Sequence, residues 1–197
     1  GLEDPQTYTC MLNLALISEK QDKSNEAEEL YSKVLEGRKK ILGTSHPSYS
    51  HCLKLYAYFL FEIGKNEEGL PYLKELVELR EKYLGIDHPD TITSLENLAF
   101  ILYDLGKFDE SEKMYRKLID IIKKVYGSKN EKTLEILIEL IDVLEDKEDF
   151  TEAELVYSEV LNIIDIVHGK EHDETLRMKQ NYAVFLRNNT NELKKAI

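Results

Sequence analysis

The chain has 197 residues, 42% of them apolar and 32% charged, a composition that supports a real hydrophobic core and excludes a disordered tail. Acidic residues outnumber lysine plus arginine by 38 to 26, and the net charge of −12 gives a field that repels nucleic-acid backbones and anionic lipid headgroups. The longest apolar run, Leu55 to Phe61, falls far short of the about 20 residues that cross a bilayer, and Cys10 and Cys52 alone make no disulfide framework. Reduced thiols and a cytoplasmic location are therefore expected, with protein or peptide partners and neither nucleic acid nor membrane. Glycine in place of methionine at position 1 suggests an excised piece.

The chain repeats itself. A first unit, about residues 1–42, opens on Gly1 and Asp4-Pro5-Gln6-Thr7. The second, 43–84, opens on Leu42-Gly43-Thr44-Ser45-His46-Pro47, and the third, 85–126, on Leu84-Gly85-Ile86-Asp87-His88-Pro89, an offset of 42 residues. The fourth, 127–168, starts at Tyr126-Gly127 with Thr133, and a truncated fifth, 169–197, at His168-Gly169-Lys170-Glu171-His172 with Thr175. Three more columns keep the register: Ala15, Ala57, Ala99, Ile141, Ala183; then Ala27, Gly69, Ser111, Ala153; then Tyr31, Leu73, Tyr115, Tyr157.

Within a unit, apolar residues recur at three and four, as in Leu95, Leu98, Ala99, Leu102, Leu105 and again in Met114, Tyr115, Leu118, Ile119, Ile122. Each unit thus predicts two amphipathic helices, with tight turns at Gly64-Lys65 and Gly106-Lys107. The joint glycine is expected to supply a left-handed C-terminal cap, and the proline to start the next helix without losing a bonded N–H. Asp4, His46, His88, Asn130 and His172 fall at the N-cap position. Small side chains in the Ala15 and Ala27 columns let paired helices approach closely, and the Tyr31 column fills the space beside them. A lone hairpin cannot bury its apolar stripe, so the fold expected is all-α: one domain over 1–197, a right-handed α-solenoid of stacked antiparallel helix hairpins. Four hairpins and a fifth first helix from Asp173 to about Asn188 are counted, with Asn191 to Ile197 opening a tenth helix. Pro71 is expected to delay or bend its helix and to widen the space beside Tyr58 and Phe61.

Leu98-Ala99, Leu102, Gly106-Lys107-Phe108, Glu110-Ser111, Tyr115 and Leu118 resemble the tetratricopeptide repeat pattern, and the 42-residue unit with its Leu-Gly-x-x-His-Pro-x-Thr joint is similar to the long repeats of kinesin light chains. The resemblance covers essentially the whole chain. It implies a non-enzymatic protein–protein interaction module, an adaptor or scaffold that binds short peptide segments or partner domains in a concave groove lined by one stripe of each first helix. Carried onto this sequence, the stripe holds Thr9, Leu12, Asn13, Leu16 and Glu19, then His51, Lys54, Tyr58 and Phe61, then Thr93, Glu96, Asn97, Phe100 and Tyr103. It continues with Glu135, Ile138, Glu139, Asp142 and Glu145, and ends with Arg177, Gln180, Asn181, Val184 and Arg187.

Tyr58, Phe61, Phe100 and Tyr103 are surplus to the core columns, so they read either as binding anchors or as rings half-buried against the next hairpin. Glu135, Glu139, Asp142 and Glu145 share a helix face, whose mutual repulsion a basic ligand would ease; a plain solvated acidic face is the alternative. Asn13, Asn97 and Asn181 share a column that in the family holds a peptide backbone, although Leu55 and Glu139 interrupt it. The family's clamp for a C-terminal carboxylate is not expected, because Lys54 and Asn97 would face Glu135 and Glu139.

No cofactor or metal is expected. His46, His88 and His172 repeat with the joints, roughly 10 Å apart, too far to share one ion. His168 and His172, with Glu171 and Asp173 nearby, have zinc-like helical spacing, but Gly169 is expected to break that geometry, leaving at most a fortuitous site. Cys10 and Cys52 also lie one period apart and read as small side chains at helix packing surfaces. No catalytic constellation or phosphate loop comes forward. The other functional reading is a regulatory or oligomerisation domain of a larger signalling protein or enzyme.

Overall fold

The computed structural model describes residues 4–193. Among the described residues there are nine α-helices and no strand: α1 (Pro5–Lys20), α2 (Ser24–Leu42), α3 (Pro47–Glu62), α4 (Asn66–Leu84), α5 (Pro89–Asp104), α6 (Phe108–Tyr126), α7 (Glu131–Asp146), α8 (Phe150–Val167) and α9 (Asp173–Leu193). The chain divides into two compact units, Gly1–Ser94 and Leu95–Ile197. Within each unit a helix packs on its neighbours in sequence: α1 on α2, α2 on α3 and α3 on α4 in the first, and α6 on α7, α7 on α8 and α8 on α9 in the second. That is the contact pattern of a stacked repeat. The expected tenth helix does not open at Asn191, because α9 runs on through Leu193; residues 194–197 and Gly1 lie outside the described residues.

Each joint stops one helix and starts the next within a few residues. Gly43, Gly85 and Gly127 have φ of 75°, 92° and 94° with ψ of 167°, 158° and 155°. The sign of φ is as expected, but ψ lies far from the left-handed helical value of about +47°, in a region that only glycine enters cheaply. Side chains close the other side. Asp4 Oδ1 accepts from the Gln6 N–H at 2.8 Å and Asn130 Oδ1 from Lys132 at 2.9 Å. The histidines do the same through Nδ1: His46 accepts from Ser48 and His88 from Asp90, both at 3.1 Å, and His172 from Glu174 at 3.3 Å. Thr133 and Thr175 donate to the carbonyls of Gly127 and Gly169, each at 2.8 Å. In the first unit an arginine adds a further tie, Arg38 donating to the Ser48 carbonyl at 2.8 Å and its repeat mate Arg80 to the Asp90 carbonyl at 2.7 Å. Ile122 and Ile164 occupy the same place in later repeats and tie their joints by burial instead.

The small-residue columns are buried as their spacing requires: Ala15, Ala57, Ala99, Ala27, Ser111 and Ala153 have no accessible surface. Ser111 keeps its hydroxyl bonded to the Ala99 carbonyl at 2.8 Å. Ala183 is exposed, since no second helix covers α9 among the described residues. Tyr31, Leu73, Tyr115 and Tyr157 are all buried beside these columns, each large side chain contributing about 1.5–3 kcal/mol. Glycine marks two places where a ring takes the room. A Cβ at Gly37 would lie 2.1 Å from the Tyr8 ring, and one at Gly69 2.4 Å from Phe61.

Pro71 does not delay its helix. α4 has 19 residues, as α2 and α6 do, and begins at the equivalent residue. The proline sits at the sixth helical position with its ring exposed, where it has no N–H to give the Glu67 carbonyl. The cysteines also part company: Cys52 is buried, with burial pushing its thiol up to about 12, whereas Cys10 is exposed rather than packed.

The turn inside each hairpin places Asp22, Gly64, Gly106 and Glu148 at positive φ, and only the two glycines meet that demand without strain. Glu148→Gly is expected to stabilise the protein by about 1 kcal/mol, measured as a raised urea midpoint with an unchanged slope. Gly69→Ala should do the opposite of the usual helical glycine replacement and cost about 1–3 kcal/mol, because the new methyl meets the Phe61 ring. Restored stability in Gly69→Ala combined with Phe61→Leu would assign that loss to the ring contact.

Candidate functional site

The first-helix stripe of the second unit is built on α5, α7 and α9. Two contacts fix how α5 and α7 lie. Lys132 on α7 pairs with Glu96 at 2.9 Å near one end, and Tyr103 donates to Asp146 at 2.6 Å near the other. The helices therefore run parallel, with their stripes side by side. Phe100, one turn before Tyr103, is 51% exposed on this face. Glu96, Asn97 and Tyr103 are half-buried, and Thr93, at the α5 start in the first unit, is exposed.

α7 carries the acidic section, and most of its carboxylates already hold a donor. Glu135 takes Lys132 at 3.1 Å, so this lysine bridges Glu96 and Glu135. Glu139 accepts from the buried Tyr115 phenol, and Glu145 from Tyr157 at 2.7 Å. Asp146 takes Tyr103, whose phenol is pushed up to about 12 by that hydrogen bond above all. Asp142 differs. Among the described residues no donor reaches it. Asp142 is exposed on this face, but the protein packed about its carboxyl, then the charges of Glu139, Glu145 and Asp146, push it up to about 6. The hydrogen bonding of this acidic face is thus uneven, and one carboxylate is left without a donor.

α9 adds Arg177, Gln180, Asn181, Val184 and Arg187, all exposed, with Arg177 3.6 Å from Glu174. Ile138 is half-buried and shares a cleft of about 100 Å³ with Glu131, His168, Glu174 and Met178. At this α8–α9 joint Gly169 does not separate the histidines as expected. His168 caps α8 and His172 caps α9, and their rings stack with centroids 4.9 Å apart.

In the first unit the stripe is less charged. Thr9, Asn13 and His51 are exposed, while Leu16, Glu19 and Lys54 are half-buried. Partial shielding by the surrounding protein, then the charges of Arg38 and Lys54, hold the exposed His51 imidazole below its ordinary value. The Lys54 ammonium lies 5.6 Å from the Tyr58 ring centroid, and that ring is 6.4 Å from Phe61. Glu19 accepts from the Tyr31 phenol. One expected member does not face outward, since Leu12 is buried in the core, and a second, Phe61, is half-buried with its ring over Gly69. Both follow from helix geometry, since a stripe of about 100° shares its border residues with the packed face.

This geometry, parallel first helices with buried small columns behind them, agrees with the sequence comparisons. Tetratricopeptide repeat profiles match residues 53–124 and 90–165, and another matches residues 7–48. The chain belongs to the tetratricopeptide repeat family. No curated relative matches it in sequence. Among solved structures it is similar to a Podosopora anserina protein described as kinesin light chain with nearly identical TPR-like repeats, at 22% identity and a TM-score of 0.74, over 98% of this chain and 92% of that one. A point variant of that protein gives 0.73 at the same identity, over 97% and 91%. BtubC (BKLC) from P. vanneervenii follows at 18% identity and 0.68, over 93% of this chain and 72% of its own. The fold is an all-α tetratricopeptide repeat solenoid, and the chain is a protein–protein interaction module.

The tetratricopeptide frame also shows what sequence reading passes over. Lys132 and Asp146 shape the acidic section, yet neither stands in the stripe carried over from the family. The signal for Lys132 is present in its column, where Ser48, Asp90 and Glu174 stand in the other joints.

The raised Asp142 carboxyl has a consequence with a definite sign. The folded protein holds this proton more tightly than the unfolded chain, so stability rises as pH falls from about 6 towards the unfolded value of about 4. Asp142→Asn is therefore expected to raise the melting temperature at neutral pH, with a gain that shrinks below about pH 6 and vanishes near pH 4, as a pH series of thermal melts would show.

Proposed function

We propose that this tetratricopeptide protein is an adaptor or scaffold that binds a short peptide segment along its first-helix groove, with a lysine or arginine of the ligand held at Asp142. The observation that carries this reading is the donor-less carboxylate on α7, set among acids that already hold a donor in Lys132, Tyr103, Tyr115 or Tyr157 and keep their charge. A cation there removes repulsion from three neighbours at once and supplies the missing hydrogen bonds. Exposed Phe100, one turn from Tyr103 on the parallel helix, offers an aromatic face to the same segment. Asn97 and Asn181 are the further contacts on the same unit in this reading, and Asn13, Lys54 and Tyr58 form the stripe of the first unit. A basic residue alternating with apolar ones is the ligand chemistry that fits.

A peptide array of basic and apolar sequences tests this with three proteins: native, Tyr58→Ala with Phe100→Ala, and Glu139→Lys with Asp142→Lys. Native protein is expected to retain basic peptides, and the charge-reversed form to lose them by at least about tenfold, roughly 1.4 kcal/mol. The aromatic variant should lose affinity for the apolar positions. Capture should weaken with added salt, since exposed charge attraction is screened over about 8 Å at physiological ionic strength. Equal capture by all three proteins would overturn the assignment.

A further inference from the structure

The α8–α9 joint departs from its three counterparts in a way that capping does not require. The residue that ends the second helix is Leu42, Leu84 and Tyr126 in the earlier repeats, and His168 in this one. The N-cap histidine, His172, is shared with other joints, but the residues around it are not. Glu174 stands where Ser48, Asp90 and Lys132 stand elsewhere, and Glu131 replaces the helix-opening prolines Pro5, Pro47 and Pro89. Four potential ligands are thus gathered where the other repeats carry few or none.

Their geometry is that of a chelating set. One ligand atom from each of His168, His172 and Glu174 lies within 4.8 Å of the others. His168 Nε2 is 3.3 Å from Glu174 Oε2 and 3.8 Å from Glu131 Oε1. Two ligands on a tetrahedral ion with bonds of about 2.0–2.1 Å stand about 3.3 Å apart, so the His168–Glu174 pair is already spaced as one edge of such a site. The other Glu174 oxygen faces Arg177 at 3.6 Å, which holds the carboxylate in place and leaves Oε2 for the ion. His168 is largely withdrawn from solvent, with 13% of its side chain exposed, and the adjoining cleft of about 100 Å³ has room for an ion and a water ligand. His172 is exposed and its Nδ1 cap bond, at 3.3 Å, is the longest in its column. Turning that ring toward the ion forfeits a cap worth about 1 kcal/mol, a small cost beside a metal–imidazole bond.

We infer that this joint binds a divalent transition-metal ion through His168, His172 and Glu174, with Glu131 at its edge. Two imidazoles and a carboxylate suit zinc, nickel or copper in preference to calcium or magnesium. The bound ion ties the end of α8 to the start of α9. The site borders the groove stripe, whose Ile138 and Arg177 line the same cleft.

Untagged protein freed of metal by a chelator, titrated with zinc chloride in a calorimeter, gives the test, with cobalt absorption as a second readout of tetrahedral coordination. One ion per chain is expected, together with a raised melting temperature. The variants are His168→Tyr and His172→Asn, which install the residues that the preceding joint carries at Tyr126 and Asn130 and so preserve the fold. Each is expected to lose zinc affinity by at least about tenfold, while the control His88→Asn leaves it unchanged. Absence of saturable uptake by the native protein, or equal uptake by the native protein and both variants, would overturn the site.

Discussion

The joint is the constraint on which the rest of the structure depends. At Gly43, Gly85 and Gly127 the backbone takes a positive φ with extended ψ, and a few residues later Asp4-type capping groups receive the N–H of the second residue of the next helix. A side chain on those glycines would cost backbone strain at every joint, and an uncapped start would leave helical N–H groups unbonded. Because the stop and the start are fixed within so few residues, the angle between successive helices is set locally. Repetition at constant spacing then lets each hairpin meet its neighbour with the same surface.

Inside that frame the packing is adjusted pair by pair. Tyr8 lies over Gly37, and Phe61 over Gly69, so a ring on one helix is matched by a missing side chain on the other. The Tyr31 column makes a related exchange. Where it holds tyrosine, as at Tyr31 and Tyr157, the phenol reaches a glutamate on the paired first helix, Glu19 or Glu145; where it holds Leu73, the position equivalent to those glutamates is Phe61. Buried hydroxyls need acceptors, and an apolar replacement removes that need together with the charge. The phenols are correspondingly held in their neutral form, burial and the adjacent carboxylates acting in the same direction.

The same phenols shape the acidic surface of the first helices. An acidic run on α7 becomes a graded one, because Tyr103, Tyr115, Tyr157 and Lys132 answer five carboxylates between them and leave Asp142 with repulsion alone. Core residues of the second helices thus tune the electrostatics of the first.

The sequence by itself determined the helix pairs, their joints, their caps and the small columns, since each of these follows from residues within one unit and is repeated in register. Ala15, Ala27, His46, Gly85 and Pro89 could be assigned from spacing and backbone chemistry alone. Only the tertiary structure decided which candidate side chains meet. Lys132 finds Glu96 across 36 positions, Tyr103 finds Asp146 across 43, Phe61 turns onto Gly69, and His168 stacks on His172 despite the intervening glycine. Periodicity names the face a residue lies on, but the partner it finds there depends on the rotation and offset of the neighbouring helix, and no local pattern carries that information.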